Sequence, residues 1–105
     1  MNNLPMKEYN EKSLAIFNKI FEIFDSIPKG DLNYTNDIIS YKLDDKNEYV
    51  INRQPAAQQI WVSSPISGPK RYYLNKNSWL NTKTNEPLLD FIRKDIKNAI
   101  GNNFK

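Results

Sequence analysis

The chain has no cysteine and no histidine among its 105 residues. The first absence excludes disulfides, thiolate metal sites and cysteine nucleophiles. The second removes imidazole ligands, serine–histidine systems and the side chain that most often moves protons near neutral pH. Any metal held here would be held by oxygen, which suits hard cations and iron. Acid–base chemistry would fall to Asp, Glu, Lys or Tyr, so an ordinary hydrolase is a poor match. Also missing is an apolar run approaching the ~20 residues that cross a bilayer as a helix, and no membrane association is expected. Met1 to Glu8 contain neither arginine nor a hydrophobic stretch, unlike a secretory signal or a mitochondrial presequence.

What is present is enough for one modest core. Hydrophobic residues make up 39% of the chain and run along its whole length, a composition that folds, and a single domain over 1–105 is expected. The net charge of +3 hides a division. Residues 1–48 hold 6 Lys/Arg against 9 Asp/Glu, a net of −3, and residues 49–105 hold 9 against 3, a net of +6. Such a division can orient a protein on a partner, or it can be incidental surface charge.

Periodicity supplies the elements. Over residues 8–27, Leu14, Phe17, Phe21 and Phe24 step by helical intervals beside a second stripe of Ile16, Ile20, Ile23 and Ile27, and Pro28 and Gly30 stop the pattern. From Ile38 to Leu80 the sequence reads as about five short strands: Ile38–Leu43, Glu48–Arg53, Gln58–Ser63, Lys70–Leu74 and a piece around Trp79. Their connections are too short for parallel crossovers, so an antiparallel meander is predicted. A second helix follows, with Thr84 or Asn85 as its cap, Pro87 in its first turn, Leu89, Ile92, Ile96 and Ala99 facing the core, and Gly101 just past its end. The predicted fold is α+β: a two-layer sandwich with N- and C-terminal helices on one face of the sheet.

That leaves the other face of the sheet open, and period-2 alternation says what lies on it. If Ile51, Ile60 and Val62 point inward, then Asn52, Gln54, Gln59, Trp61 and Ser63 point outward together. A tryptophan ringed by amides is a binding surface, since the indole offers wide apolar area at little entropic cost and the amides direct hydrogen bonds. Arg71 can point the same way from the next strand. Packing of Trp61 beneath the Ser64–Pro69 loop is the structural alternative. Trp79, in a short strand before the second helix, reads as core.

The run Tyr49-Val50-Ile51-Asn52-Arg53-Gln54, followed by Gln59 to Tyr72 (QIWVSSPISGPKRY), resembles the signature of the frataxin family. Weaker similarity extends over the first helix, the Trp79 position and Leu88-Leu89. The resemblance implies a helix–sheet–helix sandwich and a regulator of the cysteine desulfurase–scaffold complex that builds iron–sulfur clusters. It implicates Asn52, Gln54, Gln59, Trp61 and Arg71 in scaffold binding, with Arg53 where the family usually has lysine. It also implies weak iron binding by an acidic ridge. Glu11, Glu22 and Asp31 fall at family acidic positions with Asp25 nearby, whereas Ala15, Lys19 and Lys29 stand where other members often carry acids or weaken the ridge. A monomer in the mitochondrial matrix or a relict mitochondrion is implied, with bacterial cytoplasm as the alternative.

Three functions therefore compete. The first is a non-catalytic accelerator of sulfur transfer acting through the open face. The second is an iron chaperone or ferroxidase using Glu11, Glu22, Asp25 and Asp31 as oxygen ligands. The third is a single-strand nucleic-acid binder, prompted by a pI near 9.1 and an aromatic on an open sheet. Sheets that bind RNA use two or three stacking aromatics, and only Tyr73 offers a second here, so no nucleic-acid partner is expected.

Overall fold

The computed structural model describes residues 4–103. Helix α1 (Met6–Asp25) leads into six strands: β1 (Asp31–Thr35), β2 (Ile38–Asp44), β3 (Asn47–Gln54), β4 (Gln59–Ser64), β5 (Gly68–Asn75) and β6 (Ser78–Asn81). Helix α2 (Leu88–Asn103) follows. The strands pair only with their sequence neighbours, all antiparallel, in the order β1 to β6. Turns too short to cross the sheet leave no other topology.

The sheet has one strand more than its sequence pattern predicts. Strand β1 reads Asp-Leu-Asn-Tyr-Thr, five residues wedged between the Pro28–Gly30 breakers and a tight turn at Asn36. Only Leu32 and Tyr34 turn inward, where Tyr34 meets Phe17 and Phe21 edge-on or tilted at 5.9 and 5.7 Å. Two apolar side chains are too few to register as alternation, and pairing with β2 supplies the rest. Gly30 starts this strand with φ of +88°, and a Cβ there would lie 2.7 Å from the Tyr41 ring. The tyrosine hydroxyl donates to the Lys29 carbonyl at 2.9 Å, so a bare backbone is needed where the ring presses against it.

The helices depart from prediction in three places. In α1 the buried stripe is Tyr9, Ser13, Phe17, Ile20 and Phe24, and Leu14 is 42% exposed. Two polar-tipped residues, Tyr9 and Ser13, carry the stripe toward the N-terminus because the sheet offers their hydroxyls partners. Tyr9 donates to the Gln59 carbonyl at 2.9 Å. In α2, neither Thr84 nor Asn85 caps the helix. The Pro87 carbonyl accepts the first helical bond, from Phe91 N–H, while Thr84 Oγ1 accepts from Glu86 N–H and Asn85 Oδ1 from Tyr73. Gly101 lies inside the helix, which runs to Asn103.

Both helices lie on one face. Ile39, Tyr41, Tyr49, Ile51, Ile60 and Tyr72 of the sheet are sealed against Phe17, Ile20 and Phe24 of α1 and Leu88, Phe91 and Ile92 of α2. Trp79 is buried among them, 6.0 Å from Tyr9 in an edge-to-face contact, as its sequence position predicts. At the same end of the sheet, the Gln58 side chain grips the backbone of Leu4 through two hydrogen bonds, 2.7 and 2.6 Å.

Candidate functional site

The meander register builds one face from the strand interiors outward. Ile38 pairs with Asn52, Asn52 with Trp61, and Trp61 with Arg71, forming a row across β2 to β5. The adjacent row is Gln54, Gln59, Tyr73 and Leu80. No helix covers either row. Trp61 is half-buried on this face, with Ile60 and Val62 sealed beneath it, as the alternation predicts.

Two contacts fix the indole. Its Nε1–H donates to Gln59 Oε1 at 2.8 Å, and the Arg71 guanidinium lies 4.3 Å from the ring centroid. At an exposed site such a cation–π contact contributes about 0.5–1 kcal/mol, enough to hold a rotamer. Beside the ring lies a depression of about 250 Å³ whose walls include Val50, Asn52, Ser63 and Pro69. Ile38, 41% exposed, stands at the far end of the same row. The face offers a fixed aromatic, three amides, a guanidinium stacked on the aromatic ring and a separate aliphatic knob. A held aromatic ringed by amides is suited to recognition.

Arg53 does not join this set. It shares strand parity with Tyr49 and Ile51 and so passes under the sheet, toward α1. There it pairs with Asp37 at 3.0 Å, donates to Ser13 Oγ at 2.7 Å and lies 5.7 Å from the Tyr9 ring. Its side chain is 11% exposed.

Glu11, Glu22, Asp25 and Asp31 are exposed, and they do not form a centre. Among the described residues no three Asp or Glu side chains are grouped closely enough to hold a metal ion. The donor chemistry suits iron, but a coordination sphere needs several oxygens converging on one point, and the arrangement does not fit a pre-organised iron site.

The residue that sequence reasoning missed is Asp95. It is a buried acid, 3% exposed, on the apolar side of α2. Its carboxylate accepts hydrogen bonds from Tyr49 Oη at 2.7 Å, from Ser64 Oγ and from Ser67 Oγ. Ser64 Oγ in turn accepts from the backbone N–H groups of Ile66 and Ser67. One carboxylate thus pins the β4–β5 turn, which borders Trp61 and Arg71, to the second helix. The available signal was an acid lying between Ile92, Ile96 and Ala99 in the core-facing pattern.

The same burial controls the tyrosines. Desolvation raises the phenol pKa values of Tyr9 and Tyr41 above 10.0, and pushes that of Tyr72 up to about 12. Tyr49 is raised furthest, by burial first and then by its bond to the Asp95 carboxylate. These groups stay neutral at physiological pH and are structural.

Comparison with known proteins decides the family, because the frataxin-like domain model matches residues 2–102. The chain belongs to the frataxin family. It is 35% identical to the mitochondrial frataxin homolog of Schizosaccharomyces pombe over 91% of this chain. It spans 64% of that relative's length. It is 28% identical to the iron–sulfur cluster assembly protein CyaY of Thioalkalivibrio sulfidiphilus, covering 96% of this chain and 95% of that one. Among solved structures, trimeric yeast frataxin complexed with ferrous iron superimposes with a TM-score of 0.70 at 23% identity, covering 96% of this chain and 90% of the other. The frataxin fold, two helices against an antiparallel sheet, is therefore shared.

Proposed function

We propose that this frataxin-family chain is a non-catalytic accelerator of iron–sulfur cluster assembly that docks its open sheet face on a cysteine desulfurase–scaffold complex. The carrying observation is the row Asn52, Trp61 and Arg71, completed by Gln54 and Gln59, on a face no helix covers. Trp61 is the anchor, held by Gln59 and Arg71 so that little side-chain entropy remains to be lost on binding. The amides set register, and Arg71 meets a polar or acidic group of the partner. Arg53 supports this face from beneath and makes no partner contact. The naming of the bacterial relative as a cluster assembly protein supports the pathway.

The mitochondrial designation of the S. pombe relative supports action in a mitochondrion or its relict. Among the described residues no helix is long and apolar enough to cross a membrane. The docking unit is the monomer, whose open face is complete within one chain, although yeast frataxin crystallised as a trimer.

Sulfide or cluster production by the partner complex tests the proposal. Trp61→Ala should lose most of the stimulation and at least about tenfold in affinity, as removal of a central aromatic anchor does. Stimulation equal to wild type would refute it. Iron enters as a weakly held cargo of the exposed α1 carboxylates, a reading favoured only by the ferrous complex of the yeast neighbour. Ferrous titration followed by the amide signals of α1 tests that separately, and unmoved Glu11, Glu22 and Asp25 signals would remove it.

A further inference from the structure

Next to the open face, at the edge of the sheet, lies a second depression that shares only Arg71 with the docking row. Strand β6 ends at Asn81, opposite Tyr72, and the chain then peels away toward α2. The notch it leaves, about 440 Å³, is lined by Pro69, Lys70 and Arg71 of β5 and by Thr82, Lys83 and Thr84 of the departing loop, with Asn81 at its base. Lys70 and Arg71 alternate in the strand. The Lys70 ammonium lies 5.9 Å from the Phe91 ring, on the helix side, while Arg71 lies over Trp61 on the open side. Cations thus stand on both sides of the notch, Lys83 forms a third, and among the described residues no carboxylate lines it.

The loop wall is held in place. Asn81 is buried, and its Oδ1 accepts from the N–H groups of Lys83 and Thr84 at 2.8 and 3.1 Å. Thr82 N–H donates to the Arg71 carbonyl and Asn85 N–H to the Asn81 carbonyl, both at 2.9 Å. The nearby acid, Glu86, is engaged by Lys94 at 2.8 Å. Pro69, Lys70 and Arg71 line both this notch and the depression beside Trp61, so a partner crossing the indole reaches the notch without a gap.

We propose that the notch is a carboxylate subsite, in which Arg71, Lys70 and Lys83, assisted by the threonine hydroxyls, hold an acidic segment of the protein docked on Trp61. The subsite rests on the docking reading and adds the partner's chemistry to it: an aromatic-binding patch followed by one or more Asp or Glu residues. Charge complementarity carries the choice, since three cations meet no carboxylate of their own chain in the lining. Exposed charge pairs of this kind act over about a Debye length and lose most of their effect in high salt.

Affinity for the desulfurase–scaffold pair, measured at about 50 mM and about 500 mM NaCl, tests this because screening should erase the contribution of the subsite. Lys83→Glu should weaken binding about tenfold in low salt and less than twofold in high salt, with Lys83→Arg close to wild type. Unchanged binding by Lys83→Glu at both salts, or equal weakening at both, overturns the subsite. Read beside it, a weakened Trp61→Ala with an unchanged Lys83→Glu removes the subsite alone, whereas Trp61→Ala binding like wild type removes the docking reading and the subsite with it. Titration of the isolated protein with inorganic phosphate gives a further arm. Saturable shifts of the Thr82–Thr84 amide signals at low millimolar phosphate would mark a small-anion site and overturn the acidic-segment occupant.

Discussion

Two arginines on neighbouring rows of the sheet have opposite fates. Arg53 is covered by α1, paired with Asp37, bonded to Ser13 and set near the Tyr9 ring. Arg71 lies on the open face, stacked against the Trp61 ring. Both stand in the segments that carry the frataxin resemblance, and strand parity separates them. A basic residue within a recognised signature is therefore as readily a brace as a contact, and only the direction of its side chain distinguishes the two.

The sharpest way to test this division is to cut the tie between the two layers. Asp95→Ala leaves the hydroxyls of Tyr49, Ser64 and Ser67 without their shared acceptor, and we expect a loss of about 2–4 kcal/mol in denaturant unfolding. Faster amide exchange at Ile66–Gly68 than at β3 should accompany it, because the turn loses its anchor while the strand keeps its ladder. Exchange unchanged at the turn would show that Asp95 does not position it.

The arginines themselves come next. Arg53→Ala should cost about 1–3 kcal/mol of stability, given that a partly buried ion pair and a hydrogen bond are lost together. The folded fraction should still bind the partner. Arg71→Ala should do the reverse, with a melting temperature close to wild type and an affinity reduced several-fold. Swapped outcomes would invert the assignment of the two faces.

Alkali probes the covered side alone. The buried phenols are neutral in the fold with raised pKa values, whereas in the unfolded chain they ionise near 10.0. Their contribution is complete below pH 10 and is lost as pH climbs toward Tyr72's value of about 12. Urea midpoints should hold steady from pH 8 to 9.5 and then fall. The smallest expected change is Tyr72→Phe. Among the described residues the buried Tyr72 hydroxyl makes no hydrogen bond of ordinary geometry, with Asn81 as a weak polar neighbour, so its removal should be neutral or stabilising by up to about 1 kcal/mol and should soften the alkaline decline.

Much of this was legible in the sequence because alternation is a strong signal where one face is sealed. Ile51, Ile60 and Val62 demanded the core, and Asn52, Gln54, Gln59 and Trp61 had nowhere to go but out. The same rule, applied to Arg53, places it inward with Tyr49 and Ile51; grouping it by family position obscured that. Strand β1 was not legible because two inward residues make no period, and its pairing depends on β2. Asp95 was hidden for another reason. Its three donors come from β3, from the end of β4 and from the turn after it, 28 to 46 residues earlier, and no local pattern announces a partner so far away in the chain.

The grip of Gln58 on Leu4 has a practical consequence. It ties the start of the described chain to the β3–β4 hairpin, immediately beside Gln54 and Gln59. Anything attached ahead of that point, whether an affinity handle, a fluorophore or a natural extension, emerges at the rim of the proposed docking face and can shade it. Labels for interaction measurements therefore belong at the opposite terminus.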